Sequence, residues 1–280
     1  MNSGESRQFT HNSLLSTVHS FAFTLAETLI VMGIIGVVAA LTIPNVNKNT
    51  GRAEAVAKVK KIYAELNEAH SRATAVYGPI EKWSGGDMTG IGPSENSKGI
   101  KRYYDRITEF MKIQKSCRDS SDITGCMDVS YKDIYGSSYT PNYDDAQSYV
   151  RAITSGGWSF SIASYSSSCK GSGYGYSNSC GNIYVDIDGP NKGKNTRGID
   201  VFEFLITKNG IQPFGSGEYW TDSGNYGHNV HQCFTYGTYC TEWVIRNGNM
   251  DYLDANHTSR ENSGKCKNGK QLSTTVSSCK

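Results

Sequence analysis

From Phe21 to Ile43 the chain reads FAFTLAETLIVMGIIGVVAALTI, an apolar run broken by one ionisable residue, Glu27. About 20 consecutive apolar residues in a helix cross the hydrocarbon core of a bilayer, so the run predicts one membrane-spanning helix. No other stretch is as apolar, so a core helix buried on all sides would have nothing to surround it. A cleaved secretory signal has an apolar stretch of roughly 7–15 residues and a small-residue cleavage site behind it. This run is longer, and Pro44-Asn45-Val46-Asn47 follows it.

Past Pro44 the pattern becomes amphipathic. Val56, Val59, Tyr63, Leu66, His70, Ala73 and Tyr77 fall in steps of three and four, the spacing of one helical face. Lys58, Lys61, Glu65, Glu68 and Arg72 occupy the rest of the surface, and Gly78-Pro79 stops the helix. Two shorter helical patterns follow, at Ile100–Met111 and at Ala146–Ile153. Strand alternation then takes over at Trp158–Tyr165, Ile183–Ile187 and Val201–Ile206. The expected fold class is α+β: a long N-terminal helix, with a membrane half and an amphipathic half, packed on a C-terminal antiparallel sheet.

The charge balance is nearly even, 28 Lys+Arg against 26 Asp+Glu for a formal net charge of +2 over 280 residues. That removes the electrostatic argument for a dedicated nucleic-acid binder, which usually carries a strong basic excess. All eight cysteines, Cys117, Cys126, Cys169, Cys180, Cys233, Cys240, Cys266 and Cys279, lie beyond the long helix. An even number outside a membrane helix points to disulfides in an oxidising compartment. Many pairings are open. Neighbours, each enclosing about 6 to 12 residues, are the expected pairs, closing Gly/Ser-rich loops that bury little apolar area.

Glu27 is the exception that asks for a reason. An unpaired carboxylate inside an apolar segment costs a few kcal/mol, which makes it a functional candidate. A cut between Ala22 and Phe23 would create an amine on Phe23, one helical turn from Glu27 and on the same face.

At these residues the sequence resembles the type IV pilins and type II secretion pseudopilins. The matching block is Ala22-Phe23-Thr24-Leu25-Ala26-Glu27-Thr28-Leu29-Ile30, then Gly33-Ile34-Ile35-Gly36 and Pro44. The resemblance implies cleavage by a prepilin peptidase before Phe23 and methylation of its amine. It implies that Glu27 pairs with the amine of a neighbouring subunit, and that Pro44 kinks or locally melts the first helix. The position before the cut is Ala22, where the family usually has Gly, and the leader, with Glu5 and Arg7, is not basic. Lys48, Arg52, Lys58, Lys60 and Lys61 follow the apolar run, and a positive-inside count would place the body in the cytoplasm. The cleavage motif and the cysteines point outward instead. Weaker likenesses lie at Asp186–Asn191 with Asp200-Val201-Phe202, and at Cys240–Tyr252.

Asp186, Asp188, Asn191 and Asp200 offer oxygen ligands for calcium, which some pseudopilins hold in a late loop. The competing reading is a strand end and turn whose Asp and Asn bond the local backbone. Gly189–Thr196 is one residue short of a phosphate loop and precedes a strand, so it is set aside. His228 and His231 with Cys233 and Cys240 contain zinc ligands, but cysteines in an oxidising space pair with each other. No nucleophile or metalloprotease motif occurs, so no enzyme activity and no required cofactor are expected. Tyr165, Tyr174, Tyr176, Tyr219, Tyr226, Tyr236 and Tyr239 lie in Gly/Ser-rich loops, which suits either adaptable recognition or local packing.

The expected organisation is a leader over 1–22, a membrane and assembly half of the helix over 23–44, its amphipathic half over 45–78, and an extracytoplasmic body over 79–280. The expected function is a structural subunit, a minor one, of a secretion pseudopilus or type IV pilus. Its partners would be other subunits, the prepilin peptidase and an inner-membrane assembly platform. A single span would hold it in the bacterial inner membrane with the body in the periplasm. The alternative is a membrane-anchored module that binds a glycan, DNA or a surface.

Overall fold

A computed structural model describes residues 24–83, 93–118, 125–127, 130–139, 150–165, 169, 178–217, 220–222, 230–257 and 263–280. The backbone of the first helix, α1, runs Leu25–Tyr77. The chain divides into two compact units, Met1–Lys48 and Asn49–Lys280. The expected leader and the Ala22–Phe23 cut lie outside the described residues.

The second unit is α+β. After α1 come a short 3-10 turn at Ile80–Lys82, α2 (Pro93–Thr108), and the strands β1 (Ile113–Cys117), β2 (Tyr131–Lys132), β3 (Ser138–Tyr139) and β4 (Val150–Thr154). Then follow β5 (Ser159–Tyr165), β6 (Ser179–Asp186), β7 (Val201–Thr207) and β8 (Gly210–Pro213). The chain closes with α3 (His231–Tyr236), α4 (Cys240–Asn247) and a 3-10 turn at Asp251–Asp254. Six strands form one sheet in the order β1-β4-β5-β6-β7-β8, antiparallel at every step. Hairpin after hairpin builds it, so each strand finds its partner close in sequence except β1.

One sheet face is apolar. Ala152, Phe160, Val185 and Phe202 stand opposite one another across four strands, with Ile162, Ile183 and Phe204 in the next row. Val56, Val59, Ile62, Leu66, Ala69 and Ala73 of α1 are buried in the same core. Tyr63 stacks on Phe204 at 5.9 Å between ring centres. Polar groups fix the helix lengthwise on the sheet. Trp158 Nε1 donates to Glu65 at 3.2 Å, and Asn67 Oδ1 accepts from the Ile211 amide at 3.0 Å. Ile62 and Ala69 join the buried face beside the residues expected from spacing, while Tyr63 and Tyr77 stay partly buried. The stripe is wide enough to cover a sheet.

The helical pattern expected at Ala146–Ile153 is corrected in part: Val150–Thr154 is the strand β4. Val150, Arg151, Ala152 and Thr154 are all buried. A strand covered on both faces loses the alternation that marks strands in sequence. Residues 146–149 lie outside the described residues.

The opposite sheet face carries a polar row, Arg151, Ser161, Tyr184 and Glu203, each directly across from the next. All four are buried. At the C-terminal end, Trp243 of α4 is buried among Phe234, Tyr252 and Trp220, with ring centres 5.2, 6.2 and 5.9 Å away. Gly237 ends α3 with φ 75°. A Cβ there would lie 2.2 Å from the Arg197 carbonyl oxygen, so only glycine lets the two segments meet.

Candidate functional site

The start of α1 is built by two residues three apart. The Glu27 carboxylate accepts from the Thr24 amide and from Thr24 Oγ1, both at 2.8 Å. The Glu27 amide donates back to Thr24 Oγ1 at 3.2 Å. This is a capping box, which satisfies amides that a helix start leaves without partners. Sequence reasoning fixed on Glu27 and passed over Thr24, although Thr-x-x-Glu is the signature of that motif.

Beyond the cap, Leu29, Ile30, Val31 and Met32 are all exposed, as are Ile34, Ile35, Val37, Val38 and Leu41. At about 100° per residue, four consecutive positions go round the helix. The segment therefore has no polar face, and water is a poor medium for it. Among the described residues, no helix is long and apolar enough to cross a membrane. The apolar run Phe21–Ile43 begins before the described residues, and the side chains of Thr42 and Ile43 lie outside the described set. The α1 backbone continues through Pro44, whose side chain lies outside the described set.

The second candidate is the loop from Asp186 to Asp200. Asp186 Oδ1 accepts from the amides of Asp188 and Gly189, both at 3.0 Å. Asp200 accepts from the amides of Lys194, Asn195 and Thr196, the last two at 2.9 and 2.6 Å. Burial pushes the Asp200 carboxyl up, these amides oppose the shift, and the Asp188 charge adds to it. Asp188 Oδ1 pairs with Lys58 Nζ of α1 at 2.8 Å, and this bond raises the lysine pKa. Asn191 is exposed, with φ 60°. Asp188 and Asp200 nonetheless draw together. A Cβ on Gly193 would lie 2.4 Å from Asp200 Oδ2 and 3.0 Å from Asp188 Oδ2. Among the described residues, no group of three His, Cys, Asp or Glu is arranged to hold a metal ion. The loop is thus organised by amides and one ammonium from α1, a partner that spacing alone did not reveal.

A third polar feature lies at the polar row of the sheet. Glu203 is fully buried, and burial raises its pKa against the pull of Arg197. Arg197 Nη2 lies 3.5 Å from Glu203, and Asn182 donates to it at 2.6 Å. Arg197 and Glu203 hold this ion pair beneath the α4 end of the sheet, where Thr241 Oγ1 accepts from the Glu203 amide at 3.0 Å. The Glu203 carboxylate is thus met by the Arg197 guanidinium and the Asn182 amide, both from neighbouring parts of the same body.

Four disulfides join sequence neighbours, Cys117–Cys126, Cys169–Cys180, Cys233–Cys240 and Cys266–Cys279. Cys233 and Cys240 are therefore unavailable as thiolates, and His231 packs edge-on against Phe234 at 5.6 Å. His228 lies outside the described residues. Of the loop tyrosines, Tyr239 is buried against Phe214 at 4.9 Å, while Tyr236 meets Tyr135 edge-on at 6.5 Å. Tyr174, Tyr176, Tyr219 and Tyr226 lie outside the described residues, as does the side chain of Tyr165. No protein-family model, no curated protein and no solved structure matches the chain.

Proposed function

We propose that this chain is a structural subunit of a type IV pilus or a type II secretion pseudopilus. In this reading it is cut between Ala22 and Phe23, anchored by its apolar segment, and assembled through that segment into a filament. One observation carries the reading. From Leu29 to Leu41, α1 carries apolar residues and glycine on every side, with the large ones exposed, whereas Val56 to Ala73 of the same helix belong to the core of a folded body. A segment of the first kind needs lipid or other apolar helices around it. The four disulfides support a body that folds in an oxidising compartment.

Glu27 is then the register element. In the uncut chain its carboxylate is occupied by Thr24; after cleavage, a nearby amine on an incoming subunit offers it a full positive charge. Mass spectrometry of the N-terminus, with and without a co-expressed prepilin peptidase, tests the reading. A mature chain that begins at methylated Phe23 is the expected result. An intact leader in the presence of active peptidase rejects it and leaves an anchored binding module as the alternative.

A further inference from the structure

The last stretch of the chain, Ser263–Lys280, contains four lysines and no Asp or Glu. Lys265, Lys267, Lys270 and Lys280 are all exposed; among the described residues none pairs with an Asp or Glu side chain, and Lys270 Nζ donates to the main-chain oxygen of Lys280. The Cys266–Cys279 disulfide closes the segment into a lobe, and Leu272 buries itself beneath it. Among the described residues, Asp222 and Asp251 bond the lobe, and both are engaged. Asp222 accepts from the Thr274 amide and hydroxyl at 2.6 Å, and Asp251 accepts from Ser278 Oγ at 2.5 Å. Lys60 adds a fifth exposed ammonium at the same end: it lies beside Gly248, and the neighbouring Asn249 donates to the Ser277 carbonyl at 3.0 Å.

The lobe also has a fixed place on the body. Ala255 bridges Cys266, and Asn256 donates to the Lys265 carbonyl at 2.8 Å. Asp254, next to Ala255, takes both Arg52 guanidinium nitrogens, at 2.5 and 3.0 Å. Arg52 is nine residues past Ile43, the end of the apolar run, a span of at most about 30 Å even when fully extended. The lysines are therefore tied to the part of the body that directly follows the apolar segment along the chain. We infer that the Lys265/Lys267/Lys270/Lys280 lobe docks on anionic phospholipid headgroups at the surface of the membrane that holds the apolar segment. The inference rests on the anchoring proposed above. A flexible cluster of ammonium groups suits a fluid array of phosphates, which needs charge density and no fixed geometry. Such attraction is screened by salt.

The test uses the full chain reconstituted into vesicles of phosphatidylcholine, or of phosphatidylcholine mixed equally with phosphatidylglycerol. Lysine acetylation is followed peptide by peptide. Lys82, exposed at the far end of the body half of α1, serves as the internal reference. The expected result is several-fold slower labelling of the four lobe lysines in the mixed vesicles alone, reversed by high salt, with Lys82 unchanged. Replacing all four lysines with Gln should abolish the salt-sensitive component of vesicle contact. Equal labelling in both vesicle types, with protein that resists alkaline carbonate, overturns the lobe inference and leaves the anchor intact. Protection by duplex DNA but not by phosphatidylglycerol overturns it as well. Protein released by carbonate overturns the lobe and the anchoring together.

Discussion

Thr24 and Glu27 hold each other at the start of α1: the carboxylate accepts from the threonine amide and hydroxyl at 2.8 Å, and the hydroxyl accepts from the Glu27 amide at 3.2 Å. One carboxylate therefore serves as a helix cap in the uncut chain and, in the proposed function, as the partner of a neighbouring amine in the filament. The two roles separate by mutation. Glu27→Gln keeps an acceptor for the Thr24 amide and removes the charge, so filaments in the sheared-cell fraction should be lost while the folded body is unchanged. Thr24→Val removes the reciprocal hydroxyl, which costs about 1 kcal/mol of local helix stability, yet leaves the charge and should leave filaments. Equal loss in both variants would mean that the cap, and not the charge, limits assembly.

The Lys58–Asp188 contact makes a prediction about calcium. Asp188 is neutralised by an ammonium at 2.8 Å, and Asp200 is held by three amides. Both partners of the ion pair are about a third exposed, with side-chain values of 39% and 32%, so its loss costs no more than about 1 kcal/mol. Lys58→Met frees the Asp188 charge beside Asp200. Calcium should then raise the melting temperature more in the variant than in the wild type, measured by thermal denaturation with and without the ion. A wild-type shift as large as that of the variant would show that Lys58 does not compete for the loop.

The parts of this fold that were legible in sequence are those built from local repeats. The amphipathic face of α1 shows in steps of three and four, and β5, β6 and β7 lie where alternation placed strands. The neighbour pairing of the cysteines follows from short loops between them. Other features form only when distant segments meet. Arg151 and Glu203 lie on one buried polar row because four strands align in register, and each alone looks like a surface charge. Lys58 reads as one more solvated lysine on a helix until Asp188 arrives from 130 residues away. Val150–Ile153 reads as helix in sequence because burial on both sides removes the alternation of β4. Thr24 and Glu27 spell a capping signature, but they sit inside an apolar run whose own pattern is that of a membrane segment.

Removing disulfides should not cost the same everywhere. Each closes a short loop worth about 2–3 kcal/mol in the chain-entropy model. Cys233 and Cys240 are fully buried and join α3 to α4 beside the Trp243 cluster, so their loss also disturbs packing. Cys279 is only partly buried, at the edge of the lysine lobe. The double substitution Cys233→Ser/Cys240→Ser should therefore lower the urea midpoint more than Cys266→Ser/Cys279→Ser, even though its loop is the shorter, 7 against 13 residues. The opposite order would assign the stabilisation to loop closure alone.

His70 gives the body an acid sensitivity with a defined sign. It is buried beside Trp83 and Tyr103, with Nδ1 3.1 Å from the Tyr103 hydroxyl and Nε2 without a partner. Burial lowers its pKa from 6.5 to about 4. Between those values the unfolded chain binds a proton that the folded chain refuses, so stability is present above the unfolded pKa and is lost as pH falls toward the folded one. From pH 7 to pH 5 this one group should remove about 2 kcal/mol. Asp200, Glu203 and Glu242 have raised carboxyl pKa values, chiefly through burial. They act in the opposite direction above the usual carboxylate range, so the wild-type slope alone does not isolate the histidine. The difference from His70→Leu does. Urea unfolding at pH 7 and pH 5 should show the variant losing about 2 kcal/mol less than the wild type over that interval. At pH 7 it should be weaker by about 1 kcal/mol, because the His70–Tyr103 hydrogen bond is lost. Parallel slopes in the two proteins would remove His70 as the source of the acid sensitivity.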